Sequence, residues 1–291
     1  MKAIQTEKLT KYYGKSRGII DVDLNVEAGD YYGFIGPNGA GKSTTIRTLL
    51  GLIQKTSGNA QIFEKNISSD NTSILSDIGY LPSETIFYSG MKVCDVLSLS
   101  AKLRGINCID ESKKLCERLE LDTTKKIAEL SFGNRKKVGI VCALQHRPKL
   151  CILDEPTSSL DPLMQREFYS ILSERNNDGT TIFLSSHVLS EVGKYCKKAA
   201  VIKDGRIIVE DTVEKLAHTG IKRVNVKGKV LLDHDHRITD IKTEEDATSF
   251  LYNGNAKDLL SFLHSLNLDD FTVNDPDLEE VFMHYYAKEE K

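Results

Sequence analysis

The sequence predicts an α/β protein with a mostly parallel sheet at its centre, and three observations carry that prediction. Short apolar runs alternate with runs of helical spacing in LCILD, DPLMQREFYSILSER, TIFLSS, VLSEVGKYC and AAVI, between residues 150 and 202. A strand-like run, DYYGFIG (30–36), passes through a glycine-rich turn directly into a helix-like run, KSTTIRTLLGL (42–52). Between Val93 and His146 the strand signals vanish, and VCDVLSLSAKLRG, ESKKLCERLEL and FGNRKKVGIVCALQH all carry apolar residues at helical spacing. That stretch, about residues 92–147, reads as a helical subdomain inserted into the α/β core.

Taken in order, AIQTEKL (3–9) and IIDVDLNV (19–26) alternate in strand fashion around a Gly/Lys/Ser turn and predict a small antiparallel sheet. The helix after Lys42 should stop near Gly51. One strand, AQIFEKN (60–66), follows it, and then IGYLP (78–82), a buried strand that ends at Leu81 and spills into the polar residues Pro82, Ser83 and Glu84. LysAspGly (203–205) before RIIVE reads as a tight hairpin turn. Composition shifts near Gly220. Beyond it, KRVNVKGKV, TSFLY, AKDLLSFLHSL and LEEVFMHYY (278–286) predict a small α/β domain, giving a main domain over 1–219 and an accessory one over 220–291.

At 291 residues with 40% hydrophobic side chains, the chain can build a sizeable core. The formal charge of −3 divides unevenly, with −6 on residues 220–291 and +3 before them, and neither value suggests a nucleic-acid surface. Six cysteines without a CxxC pair read as reduced residues, mostly in the core. No apolar run approaches the roughly 18 to 20 residues that cross a bilayer, and MKAIQTEKLT lacks an apolar leader, so a soluble, cytoplasmic chain is expected. AspHisAspHis (233–236) has metal-ligand chemistry but sits in an acidic loop and reads as solvated.

The residues Gly36, Pro37, Asn38, Gly39, Ala40, Gly41, Lys42 and Ser43 fit the GxxxxGK[ST] phosphate loop, in the strand–turn–helix context its mechanism requires. By average residue usage a chance match in such a chain is on the order of one in a hundred. Glycines let backbone N–H groups converge on phosphates, and the helix N-terminus adds partial positive charge. Lys42 would bridge β- and γ-phosphates; Ser43 would offer its hydroxyl to Mg²⁺, with Thr44 a weaker helper. LCILDE (150–155) delivers two carboxylates at the end of a buried parallel strand, the edge where ligands bind. Asp154 would hold Mg²⁺ and Glu155 would polarise the attacking water as general base.

With these residues in place, the chain resembles an ATP-binding subunit of an ABC transporter. LSFGN (130–134) resembles the signature LSGGQ, SSLD (158–161) the D-loop, His187 the switch histidine, and Tyr13 the aromatic that stacks on adenine. The resemblance spans about residues 2–215 and implies a P-loop NTPase fold with an ABC-type core, ATP and Mg²⁺ as cofactors, and an ATPase. It also implies a homodimer or heterodimer packed head to tail, in which Ser131 and the Gly133 N–H of one subunit address the γ-phosphate held by the other. Asp161 would help form that contact. Phe132 replaces the signature's first glycine and Asn134 its glutamine; Arg135, Lys136 and Lys137 read as a solvated helix face. The position of the Q-loop glutamine is Ser83, which would reach the metal through a water unless Glu84 takes over by a one-residue shift.

The ending DPDLEEVFMHYY (275–286) resembles ATPase subunits of drug, peptide-antibiotic and lantibiotic exporters. This implies a multi-helix membrane permease partner and a peripheral place on the inner face of the membrane. A third reading, a nucleotide-binding regulator without turnover, is opposed by Glu155 and His187; the main rival is a soluble ABC ATPase working on the ribosome, on chromosomes or on an iron-sulfur or other assembly complex. Such members carry two cassettes or a long coiled coil, whereas this sequence has one phosphate loop and no heptad run.

Overall fold

A computed structural model describes residues 1–67, 72–217, 221–228, 237–244, 246–266 and 268–276. AspHisAspHis (233–236) and LEEVFMHYY (278–286) lie outside these residues. The chain forms two compact units, Met1–Asp211 and Thr212–Lys291.

In the first unit, β1 (Lys2–Tyr13) and β2 (Ser16–Glu27) pair antiparallel. β4 (Ser57–Ile62) adds to the other edge of β1, and β5 (Lys65–Asn66) follows it. AQIFEKN is therefore not one strand. Phe63 and Glu64, at φ +49° and +63°, turn the chain back on itself between β4 and β5.

β3 (Tyr31–Ile35), β6 (Ile78–Leu81), β7 (Leu150–Asp154), β8 (Thr181–Ser186), β9 (Lys198–Lys203) and β10 (Arg206–Thr212) form the central sheet, in the order β10-β9-β3-β8-β7-β6. From β9 to β6 every pairing is parallel. All residues of β3, β7 and β8 are buried, as expected for strands covered on both faces. Phe183 packs between Tyr32 and Phe34, with ring centroids 5.7 and 5.4 Å away. Parallel strands all end at the same edge of the sheet. Residues 36–41 follow β3, Glu155 follows β7, His187 follows β8 and Pro82–Ser83 follow β6, so this one edge collects the phosphate loop, the acidic strand end, the switch histidine and the polar loop, though not Tyr13 or the signature residues.

The inserted region holds α3 (Val93–Leu103), α4 (Ile109–Arg118), a single turn at Ile127–Glu129, and α5 (Phe132–Leu144). Arg118 of α4 pairs with Glu167 at 2.5 Å and Glu174 at 2.6 Å on α6 (Pro162–Asn177). Glu111 of α4 also accepts from Arg147 and from Arg175 of α6. α6 starts at Asp161, whose carboxylate accepts from the backbone N–H groups of Leu163 and Met164, with Pro162 in the first turn. α1 (Lys42–Leu49), α2 (Thr72–Leu75) and α7 (Leu189–Tyr195) complete the unit.

The second unit contains α8 (Val213–Ala217) and an antiparallel sheet in the order β12-β13-β11-β14. Its strands are β11 (Ile221–Lys227), β12 (Ile238–Thr243), β13 (Ala247–Asn253) and β14 (Phe271–Asn274). Leu259 and Leu263 of α9 (Ala256–Ser265) close a core with Val224, Val226, Phe250 and Tyr252.

Candidate nucleotide site

The phosphate loop leaves β3 at Gly36 and enters α1 through Gly41, whose φ of +112° is open to glycine alone. Lys42 follows at once. Its ammonium is 5% exposed and donates to the carbonyls of Gly36 at 2.6 Å and Pro37 at 3.3 Å, which holds it inside the loop it belongs to. Ser43 and Thr44 occupy the same first turn, half-buried.

β8 lies between β3 and β7, and this order decides who meets whom. One oxygen of Glu155 is 3.2 Å from Lys42 Nζ, and the other is 3.4 Å from His187 Nδ1. Glu155 sits at φ +45°, an uncommon conformation for a residue with a side chain. It is held there by its own N–H, which donates to the carbonyl of Ser185 at 3.2 Å and the hydroxyl of Ser185 at 3.1 Å. The same hydroxyl donates to Asp154 Oδ1 at 2.6 Å. Asp154 is 1% exposed, and its Oδ2 is buried with no partner among the described residues. A buried, unsatisfied carboxylate oxygen is costly unless a cation meets it, so the donor set fits Mg²⁺ held by Asp154 and the Ser43 hydroxyl. Ser185 is a functional residue the sequence reading missed. Its signal, a serine at the end of a buried strand one place before another serine, is too common to single it out.

Tyr13, the residue expected to stack on adenine, is near the phosphate loop. Tyr13 is 47% exposed, with Lys11 Nζ 5.3 Å from its ring centroid. A methyl group built on Gly18 would lie 3.1 Å from Tyr13 Cε2 and 3.3 Å from Thr44 Cγ2, which brings the ring and the start of α1 to the same backbone position.

The signature residues stand apart from this cluster. Ser131 is the N-cap of α5 and accepts from the Asn134 N–H at 3.2 Å. No hydrogen bond joins Ser131 or Gly133 to residues 36–44 among the described residues. Gly133 has a reason to be glycine within this chain, since a Cβ there would come 2.6 Å from the Ser159 carbonyl of the D-loop. Phe132 is 76% exposed, and the Arg135 guanidinium lies 4.5 Å from its ring centroid.

One expectation changes here. Lys136 and Lys137 are not a solvated face, because they are only 3% and 8% exposed. Lys136 Nζ donates to the carbonyls of Pro82 at 3.1 Å and Ser83 at 2.8 Å. Ser83 is thus held through its backbone by α5.

A family described as ABC transporter matches residues 19–158. The chain is 35% identical over 297 residues to the bacitracin transport ATP-binding protein BcrA of Bacillus licheniformis, covering 96% of each. It is 28% identical over 301 residues to the linearmycin resistance ATP-binding protein LnrL of Bacillus subtilis, covering 96% of this chain and 97% of that one. A solved ATP-binding subunit of an ABC transporter matches it with a TM-score of 0.69 at 28% identity, over 74% of this chain and 91% of the other. Identity that runs the length of BcrA, over a site built for nucleotide phosphates, makes this chain a member of the ABC transporter family: an ATP-binding subunit that hydrolyses ATP to power transport.

Proposed function

We propose that the chain powers export of a drug, peptide or lantibiotic-like cargo through separate multi-helix membrane subunits, working from the inner face of the membrane as half of an ATP-closed dimer. The observation that carries the chemistry is the meeting of Lys42, Glu155 and His187 beside the unpaired Asp154 Oδ2. Lys42 sits across the β- and γ-phosphates and neutralises their charge. Ser43 and Asp154 would hold Mg²⁺, which would supply further neutralisation of the phosphate oxygens. Glu155 takes a proton from the attacking water as its oxygen bonds to the γ-phosphorus and the bond from that phosphorus to the β,γ-bridging oxygen breaks, so that ADP leaves, while His187, 3.4 Å from Glu155, donates to the γ-phosphate from the opposite side. Tyr13 stacks on adenine. Ser131, at the start of α5, keeps its hydroxyl proton for the nucleotide of the other subunit, with the Gly133 N–H beside it.

Among the described residues, no helix is long and apolar enough to cross a membrane. A groove of about 950 Å³ lies between α3 and the segment after β6, lined by Leu75, Ile86, Tyr88, Met91, Leu99 and Leu103. Ile86, Tyr88 and Leu103 are 87%, 78% and 80% exposed, an apolar rim suited to a helix of a membrane subunit.

Glu155→Gln tests the chemistry. The amide cannot accept the proton, so ATP binding and ATP-dependent dimerisation should persist while Mg²⁺-dependent turnover falls by about 10² to 10³. An E155Q protein hydrolysing at the wild-type rate sinks the assignment. Copurification with a multi-helix membrane protein tests the transport reading, and recovery with ribosomes instead would overturn it.

A further inference from the structure

α5 runs along β6 and the loop after it at three successive levels. At the first, a Cβ on Gly79 would lie 2.1 Å from the Ala143 carbonyl, so strand and helix backbones nearly touch. One turn earlier, a Cβ on Gly139 would lie 2.9 Å from Leu81 Cδ1 and 2.5 Å from Thr85 Cγ2, so the loop is seated against bare helix backbone. One turn earlier again, Lys136 reaches the carbonyls of Pro82 and Ser83. Positions 136, 139 and 143 fall on one helix face.

A lysine in this place is expensive. Burial pushes the Lys136 ammonium down to about 8, with the fields of Asp154 and Glu155 acting against that loss. A side chain that only filled space would carry no charge here. What the charge does is bind two consecutive carbonyls of the loop that follows β6 at the carboxyl edge of the sheet.

We propose that Lys136 is a positioning residue for hydrolysis: it locks the Pro82–Glu84 loop to the signature helix, so the two move as one body. When ATP on a second subunit draws Ser131 and Gly133 into place, Lys136 carries the loop with them. Ser83 then needs no long side chain to follow the nucleotide, because the backbone is delivered by α5. The inference rests on the assignment of hydrolysis to Glu155 and adds a mechanical link that the assignment does not contain.

The test compares Lys136→Met, Lys136→Arg and Gly139→Val in the full chain. Lys136→Met removes the charge at similar volume. Gly139→Val wedges the loop off the helix while Lys136 stays intact. For both, kcat should fall about tenfold or more, while KM and binding of a fluorescent ATP analogue stay within about twofold. Lys136→Arg should restore most of the turnover, since its guanidinium also donates to two carbonyls. A Lys136→Met protein with wild-type kcat overturns the proposal. So does a fall in kcat matched by lost nucleotide binding, which is the mark of a merely structural lysine. Glu155→Gln measured in parallel separates the failures: full activity there removes the reading of the site, whereas inactivity there with unimpaired Lys136→Met removes only the tether.

Discussion

Ser185 shows how much of the site depends on one hydroxyl. It donates to Asp154 Oδ1 and accepts from the Glu155 N–H, so both carboxylates are aimed by the neighbouring strand. Ser185→Ala leaves Asp154 Oδ1 buried without a partner and frees the strained backbone at Glu155 to drift. Its expected result is a fall in kcat of about tenfold and a raised Mg²⁺ requirement, with nucleotide affinity little changed; Mg²⁺ titrations of the ATPase check it. The phosphate loop was legible in the sequence because its chemistry is contiguous, eight residues between a strand and a helix. Ser185 was not, because its partners lie 30 and 31 residues away and meet it only through the pairing of β7 with β8. Ser83 stood out in the sequence as an odd residue, but its holder on α5 did not, since a run of three basic residues at a helix start ordinarily faces water.

At the scale of elements, α5 is fixed to the sheet at its far end as well. His146, just beyond the helix, is 9% exposed, and its Nε2 lies 3.1 Å from the Ile78 carbonyl at the start of β6. A carbonyl only accepts, so Nε2 carries the ring proton and the buried Nδ1 stays bare. Burial, reinforced by the field of Arg104, pushes the imidazole down to about 4. The folded chain thus takes up this proton later on acidification than the unfolded chain does. Its contribution to stability is complete above about pH 6.5 and is lost as the pH falls toward 4, a span on the order of 3 kcal/mol. Gln at this position keeps an N–H for Ile78 and has no proton to gain. His146→Gln should therefore show a shallower loss of the urea midpoint between pH 6.5 and 4 than the wild type, and identical slopes would contradict the account. The long buried strands and amphipathic helices were legible because burial sets their residue pattern. α2, β12 and β14 were not, being four to six residues long and, in β12 and β14, almost wholly exposed, so no apolar periodicity marks them.

At the scale of the molecule, one chain holds both halves of a nucleotide site but does not bring them together. Lys42, Glu155 and His187 gather at the carboxyl edge of the sheet, whereas the hydrogen bonds of Ser131 stay within α5. On the proposed reading the site completes itself when a second subunit adds its signature, and a closed two-fold dimer supplies both sites at once. Mixed dimers can tell this from a site closed within one chain. Lys42→Ala destroys the phosphate grip, and Ser131→Arg blocks the signature; each alone should be inactive. In a dimer with one copy of each, both defects fall on the same site, and the other site joins an intact phosphate loop to an intact signature. With random pairing half of the dimers are mixed, so mixing two inactive proteins should restore about a quarter of the wild-type ATPase. Were each site built within one chain, no mixture could hold an intact one, and the activity would stay at the level of the single variants.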